Sequence, residues 1–90
     1  MYFNGNICVI TGSGSGIGRA LALGLGSRGA TVIASDIHET NVKETAALVN
    51  ETGPGKAIAE VIDVSNEEDV SSHINRVADQ YGRIDLIINN

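Results

Sequence analysis

Residues 7–18 read ICVITGSGSGIG, an apolar run followed directly by a turn in which every second residue is glycine. A short apolar run that ends in such a turn is typical of a buried strand. Apolar residues then recur at helical spacing, which predicts a helix over residues 16–28 with Gly29 as its C-terminal cap. On the inward stripe of this helix we expect the small residues Ala20 and Gly24, which would let it approach a sheet closely.

The alternation of apolar runs and helical spacing continues along the rest of the sequence. Four strands are predicted, at Ile7–Ile10, Thr31–Ser35, Ala57–Val64 and Ile84–Ile88, with helices at Gly16–Arg28, Glu39–Glu51 and Ser65–Gly82. Ser65 and Glu68 fit a capping box at the start of the third helix. The order β-α-β-α-β-α-β predicts an α/β fold with an open, parallel, doubly wound sheet of the Rossmann type, truncated, with strand order 3-2-1-4.

Composition excludes several classes of partner. The 90 residues carry 6 basic and 11 acidic side chains, a net charge of −5, so no basic surface is expected for nucleic acid or for anionic lipid. No apolar run approaches the roughly 18 residues that span a bilayer, and the first residues do not resemble a signal peptide. The single cysteine, Cys8, lies in an apolar run and predicts a buried, unreactive thiol. We expect a cytoplasmic protein.

The glycine turn at residues 12–18 is the candidate ligand site. It follows a strand and opens a helix, where backbone amides and the helix dipole favour an anion. A second glycine pattern at residues 24–29 matches G-x-G-x-x-G but ends a helix, so we interpret it as packing and helix termination. A Walker loop is excluded because no Gly-Lys-Ser/Thr closes the turn, and a methyltransferase-type loop because Ile10 replaces the expected acidic residue.

The turn instead fits T-G-x-x-x-G-x-G, and three further landmarks accompany it: Asp36 after the second strand, Asp63-Val64 after the third, and Asn89-Asn90 after the fourth. In these features the sequence resembles the short-chain dehydrogenase/reductase family. The resemblance implies an oxidoreductase that transfers hydride between NAD(H) and a small alcohol or carbonyl substrate. It also implies that the cofactor is bound by Gly12, Ser13, Ser15, Gly16, Ile17, Gly18, Asp36, Ile37, Asp63, Val64 and Asn90.

Within this resemblance, a carboxylate at Asp36 would accept hydrogen bonds from ribose hydroxyls and repel a 2′-phosphate, which favours NAD over NADP. Ser15 and Ile37 stand where NADP-preferring members carry a basic residue, and only His38 could blur the preference. Asp63 would bond the adenine amino group; the alternative is that it simply caps or ends its strand. Glycine in the loop would leave space for the pyrophosphate, and the serine hydroxyls would add donors.

The catalytic part of the family's motif set is missing. No Tyr-x-x-x-Lys occurs, so Tyr2 and Tyr81 are interpreted as structural, and His73 has no second ligand at metal spacing.

We therefore predict that residues 1–90 form the N-terminal part of one dinucleotide-binding domain, without catalytic residues and inactive alone, from a homo-oligomeric parent. An apolar fourth strand at the sheet edge predicts marginal stability or self-association. The alternatives are a non-catalytic dinucleotide-binding or sensing module, or a fold that binds nothing.

Overall fold

The computed structural model describes residues 5–90, which form a four-stranded parallel sheet with three helices. The elements are β1 (Ile7–Thr11), α1 (Gly16–Ser27), β2 (Thr31–Asp36), α2 (Glu39–Thr52), β3 (Lys56–Val61), α3 (Glu67–Tyr81) and β4 (Leu86–Asn89). The strand order is β3-β2-β1-β4, and all three pairings are parallel. The predicted fold class and strand order are confirmed. Among the described residues, no helix is both long enough and apolar enough to cross a bilayer.

Two strands are shorter than their apolar runs predict. β3 ends at Val61 rather than at residue 64, because the chain leaves the sheet after Ile62 and turns at Asp63. β4 begins at Leu86 rather than at residue 84. In front of it, Asp85 bonds β1 through both its amide and its carboxylate, which accepts the N–H of Ile7 at 2.8 Å.

The sheet has a large and a small apolar cluster on its two faces. Cys8, Ile10, Val32 and Ala34 pack against α1 and α2, with Val42 and Val49 among the buried helix residues. The opposite face packs Ile7, Val9 and Ile33 against Val77 of α3. Cys8 is fully buried, as predicted, and burial, assisted by the negative charge of Asp85, raises the pKa of its thiol.

The small residues that face inward on α1 are not the two that the sequence indicates. Ala20 is exposed, and a Cβ added to Gly24 would meet only the Arg28 guanidinium, at 3.6 Å, so the prediction for this stripe is wrong. Ala22 and Gly26 face inward instead, and a Cβ at Gly26 would lie 2.5 Å from a methyl carbon of Val49. Close packing therefore brings α1 against α2 as well as against the sheet.

The N-terminal cap of α3 is Asn66, not Ser65. The Asn66 side-chain oxygen accepts hydrogen bonds from the N–H groups of Glu68 (2.9 Å) and Asp69 (3.2 Å), whereas the Ser65 hydroxyl donates to Asp63. The predicted capping box is wrong because Asp63 and Ser65 close a turn of their own, which delays the helix by one residue.

We expect Asn66→Ala to destabilise the fold by about 1 kcal/mol, since it leaves the first amides of α3 without an acceptor. Urea unfolding followed by circular dichroism measures this difference. Ser65→Ala is the matched control and should change the unfolding free energy by less than about 0.5 kcal/mol. Equal losses in the two variants would show that Asn66 is not the cap.

His73 of α3 is fully buried against β2, although the sequence suggests only a polar helix surface around it. Its Nε2 lies 2.6 Å from the Ser35 hydroxyl, and its Nδ1 is buried without a hydrogen-bond partner among the described residues. Burial lowers the pKa of His73; the negative charge of Glu60 opposes this in part, and the positive charge of Arg76 adds a smaller lowering. The fold therefore favours the neutral imidazole.

Because the pKa of His73 is lower in the folded chain, the unfolded chain takes up a proton first as the pH falls below about 6.5. We expect the unfolding free energy to be lower at pH 5.5 than at pH 7.5. His73→Gln should flatten this dependence, whereas His38→Gln, which removes the other histidine, should retain it. An unchanged pH slope in His73→Gln would contradict a buried neutral His73.

Candidate functional site

The candidate site lies where the carboxyl ends of β1, β2 and β4 meet at one edge of the sheet. β1 leads into the glycine turn at residues 12–15, β2 ends at Asp36, and β4 leads into Asn90. The predicted residues of these three segments are thus brought together, because β1 pairs in parallel with both β2 and β4 and their carboxyl ends lie side by side. Asp63 and Val64 follow β3, which is the outer strand on the far side of β2.

The glycine turn folds back onto the start of α1. Gly12 has a φ of 64°, and a Cβ at Gly18 would lie 2.2 Å from the carbonyl oxygen of Gly12. The Asn90 side-chain amide donates to that same oxygen at 3.0 Å. The expectation that Gly18 leaves space for a pyrophosphate is therefore corrected: the space is filled by the protein's own backbone.

The N-terminus of α1 presents free backbone donors. Arg19 is the first residue whose amide bonds back along the helix, to the Ser15 carbonyl at 3.3 Å, so the amides of Gly16, Ile17 and Gly18 precede the first helical hydrogen bond. Ser15 and Ile17 are exposed beside these amides, and the Ser15 hydroxyl makes no capping bond. An anionic group can therefore dock here on backbone N–H groups.

The two serines of the turn differ in where their hydroxyls point. Ser13 is fully buried, and both its N–H and its hydroxyl donate to the Ser35 carbonyl, at 3.1 and 3.2 Å. This differs from the expectation that the hydroxyls of both serines face a ligand. Ser13 fixes the turn to β2, and Ser15 alone offers an exposed hydroxyl.

Asp36 faces the turn from the end of β2. Its Oδ2 accepts the Gly14 N–H at 2.8 Å, while its Oδ1 accepts the His38 N–H at 3.1 Å and lies 3.1 Å from the His38 ring. Burial raises the pKa of Asp36, but the hydrogen bonds from the His38 and Gly14 amides and the His38 ring outweigh it, so the pKa is lowered. The carboxylate is thus ionised at neutral pH, and its lone pairs can accept further donors. The adjacent Ile37 is exposed.

Asp63 and Val64 lie in the turn between β3 and α3. The Asp63 carboxylate accepts the Ser65 hydroxyl at 2.6 Å and the Ser65 N–H at 3.0 Å, and these bonds lower its pKa. Val64 borders a cleft of about 410 Å³, which is lined by Thr11, Val64, Glu67, Val70, Ser71, Asn89 and Asn90. The cleft thus connects the end of β4 with the Asp63 turn.

Asn89 and Asn90 tie β4 to β1. The Thr11 hydroxyl lies 3.5 Å from Oδ1 of Asn89, and the Asn90 N–H donates to the Thr11 hydroxyl at 3.2 Å. The Asn89 side chain thus joins β4 to its neighbour β1. The bond from the Asn90 side chain to Gly12 is a contact that sequence reasoning missed.

Two further residues support the turn and were also missed. Arg19 of α1 and Thr45 of α2 bond each other, and both contact the backbone of the turn. A signal for Thr45 does exist in the sequence, because it falls three residues after Val42 on the inward face of α2, where a polar side chain needs a partner. Arg19 gives no comparable signal.

The remaining candidates lie away from the site. Tyr81 packs against the apolar cluster between β1 and α3, which supports a structural role, whereas Tyr2 lies outside the described residues. Charged side chains on α2 and α3 are exposed, including Lys43, Arg76 and Asp79. Within residues 5–90 no group of three histidine, cysteine or acidic side chains could hold a metal ion.

A parallel sheet with a glycine turn before its first helix and an acidic residue at the end of its second strand is the arrangement of a Rossmann-type fold. The family model for short chain dehydrogenases matches residues 6–90, so the chain belongs to the short-chain dehydrogenase/reductase family. Members of this family are oxidoreductases that bind nicotinamide dinucleotides.

Similar proteins support the same family. The chain is 40% identical, over a 94-residue alignment, to a 3-oxoacyl-(acyl-carrier-protein) reductase of Thermotoga maritima. The alignment covers 100% of this chain and 36% of that protein. It is 36% identical to levodione reductase of Leifsonia aquatica, covering 98% of this chain and 33% of the relative. The chain therefore spans about a third of the length of these relatives.

Solved structures agree with the fold. The NAD⁺-bound xylitol dehydrogenase superposes with a TM-score of 0.88 at 33% identity, over 97% of this chain and 33% of the other. A metagenomic short-chain oxidoreductase in complex with NADP superposes with a TM-score of 0.90 at 26% identity, over 97% of this chain and 39% of the other. The two neighbours thus carry different dinucleotides.

Proposed function

We propose that this chain forms the NAD-binding part of an oxidoreductase that transfers hydride between NAD(H) and a small alcohol or carbonyl substrate. The observation that carries the proposal is the Asp36 carboxylate at the edge of a free helix N-terminus, beside a turn built from glycine. The two features match the two ends of an adenosine diphosphate group: backbone amides suit the pyrophosphate, and a carboxylate suits the ribose hydroxyls.

The described residues fit a dinucleotide in three respects. The amides of Gly16, Ile17 and Gly18 supply donors for an anion, and Ser15 adds a hydroxyl. Asp36 is ionised, so it can accept a ribose hydroxyl while retaining its bond to Gly14. The cleft beside Val64 and Asn90 is open to a flat ring such as adenine, whose face could pack against Val64 while Asp63 would bond its amino group.

The preference for NAD over NADP follows from charge. A 2′-phosphate next to the Asp36 carboxylate would meet a like charge, and Ser15 and Ile37 supply no compensating cation. The nearest arginine, Arg19, already donates to Thr45, Glu44 and the backbone of the turn. NAD is therefore the better match for this site.

Bound nicotinamide would supply the hydride acceptor or donor, and these residues would bind and orient the dinucleotide. We propose that the catalytic serine and the Tyr-x-x-x-Lys pair, which would transfer the proton, lie outside these 90 residues, since no Tyr-x-x-x-Lys sequence occurs within them. The chain alone should then bind cofactor without turnover. Its cytoplasmic location and the homo-oligomeric state of the parent stay predictions from the sequence.

Calorimetric titration of the chain with NADH and, separately, with NADPH tests the proposal. We expect saturable binding of NADH, with at least about tenfold weaker binding of NADPH, equivalent to about 1.4 kcal/mol. A preference for NADPH would overturn the NAD assignment and leave the dinucleotide site in place. Absence of binding by either dinucleotide would overturn the proposed function for this chain.

A further inference from the structure

We propose that Arg19 and Thr45, which we call the positioning pair, set the dinucleotide preference of the site without touching the dinucleotide. This inference rests on the proposed function. The positioning pair lies on the side of the turn that faces α2, and Thr45 is fully buried there. The effect of the positioning pair on the dinucleotide preference would pass through one peptide unit, the amide group that joins Ser13 to Gly14.

Both ends of the Ser13–Gly14 peptide unit are held by side chains. Its carbonyl, that of Ser13, accepts the Thr45 hydroxyl at 2.8 Å, and its N–H, that of Gly14, donates to Oδ2 of Asp36 at 2.8 Å. Rotating this peptide unit would break both bonds together. The orientation of the Asp36 carboxylate is therefore linked to the Thr45 hydroxyl on the opposite side of the backbone.

Arg19 directs the Thr45 hydroxyl. Its Nε–H donates to Oγ1 of Thr45 at 2.8 Å, which leaves the hydroxyl hydrogen to be shared between the carbonyls of Ser13, at 2.8 Å, and Asn41, at 3.2 Å. The shorter distance favours Ser13. A threonine hydroxyl has only one hydrogen to donate, so a donor that occupies its lone pair helps to fix where that hydrogen points.

Arg19 also holds the next peptide unit of the turn. Its Nη2 donates to the Gly14 carbonyl at 2.7 Å and to the Asn41 carbonyl at 3.1 Å, while Nη1 pairs with the carboxylate of Glu44 at 2.7 Å. The planar guanidinium reaches these acceptors at once because its donors point in several fixed directions. A lysine ammonium would keep the charge but could not contact Thr45 and Gly14 in the same geometry.

Gly14 is closely packed between Asp36 and Asn41. A Cβ at Gly14 would lie 2.8 Å from Oδ2 of Asp36 and 3.0 Å from the Cβ of Asn41, so the turn sits directly between β2 and α2. Loss of the positioning pair would free the turn to move away from Asp36. The carboxylate would then lose its bond to Gly14 and its fixed orientation toward the ribose.

Thr45→Val tests this without a change in charge, and Thr45→Ser is the matched control that keeps the hydroxyl. We expect Thr45→Val to weaken NADH binding about tenfold and NADPH binding by less, so that the ratio of the two affinities falls about fivefold or more. Thr45→Ser should stay within about twofold of wild type in both affinities. Recovery by serine separates a hydrogen-bonding role from packing.

Arg19→Lys tests the role of Arg19 in the positioning pair, and Glu44→Gln is its control. Arg19→Lys should behave like Thr45→Val, whereas Glu44→Gln should bind NADH as wild type, because it removes only the exposed ion pair. Wild-type binding by Arg19→Lys would show that the charge alone matters and would overturn the role of Arg19.

Amide hydrogen exchange measured by NMR gives a readout that needs no dinucleotide. In Thr45→Val the Gly14 amide should exchange at least about tenfold faster, while the amides of Val9 and Ile33 in the central strands stay protected. Unchanged exchange at Gly14 together with an unchanged affinity ratio would overturn the proposal. If wild type bound neither dinucleotide, the proposed function would fail, and unchanged exchange would still decide against the positioning pair.

Discussion

Gly18→Ala is expected to abolish measurable binding of NADH. An added Cβ would lie 2.2 Å from the Gly12 carbonyl oxygen and 2.8 Å from the side-chain amide nitrogen of Asn90. The first of these contacts is with backbone, which cannot swing aside as a flexible side chain could. Relieving it costs roughly 1–3 kcal/mol or more and displaces the turn from the end of β4. Titration calorimetry should show at least about a hundredfold loss of NADH affinity.

Gly24→Ala is the matched control for this substitution. Gly24 lies in the same helix, but a Cβ there meets only the flexible Arg28 side chain at 3.6 Å. We expect wild-type NADH binding and a gain of about 0.5–1 kcal/mol in unfolding free energy, because alanine is the better helix former. If Gly18→Ala bound NADH as tightly as Gly24→Ala does, the geometry of the turn would not matter for the site.

Asp36→Ala is expected to change which dinucleotide the site prefers. The substitution removes the ionised acceptor proposed for the ribose hydroxyls, and hydrogen bonds to a charged group contribute roughly 1.5–3 kcal/mol. NADH affinity should therefore fall between about tenfold and a hundredfold. NADPH should lose less, because the like charge that opposes its 2′-phosphate is removed as well. Parallel titrations with the two dinucleotides give the ratio.

Glu39→Ala is the control for charge alone. Glu39 opens α2 three residues after Asp36 in the sequence and pairs with Lys43 at the surface, so its loss removes a nearby negative charge without touching the turn. We expect its ratio of NADH to NADPH affinity to stay within about twofold of wild type. Full retention of NADH preference in Asp36→Ala would refute the role assigned to that carboxylate.

The arrangement of the sheet could be predicted from the sequence because it depends on patterns that extend over whole elements. Short apolar runs separated by helical spacing leave little choice but a parallel sheet covered by helices, and right-handed crossovers then fix the strand order. The positions of the turn and of Asp36 follow from the same patterns, since both lie at strand ends. These predictions do not depend on the conformation of any single side chain.

Predictions that depended on one side chain were less successful. Ser65 and Asn66 are both good cap residues, and a bond between Ser65 and Asp63 decides between them. Whether Ala20 or Ala22 faces inward depends on the rotation of α1 about its own axis, which is set by the contact between Gly26 and Val49. His73 is polar and follows two serines, so nothing local indicates that it is buried beside Ser35. Such choices are made by tertiary contacts between distant segments.

The pairing of β1 with β4 has a consequence for the order in which the chain folds. The bond from Asn90 to Gly12 joins residues 78 positions apart, whereas β1 and β2 are connected through a single helix. Contacts with such long sequence separation form late, because the intervening chain must first be ordered. On the ribosome, β1, α1 and β2 can therefore associate while the Gly12 carbonyl still lacks its partner. The glycine turn should reach its final shape only after β4 has been synthesised, so maturation of the site should lag behind formation of the first βαβ unit.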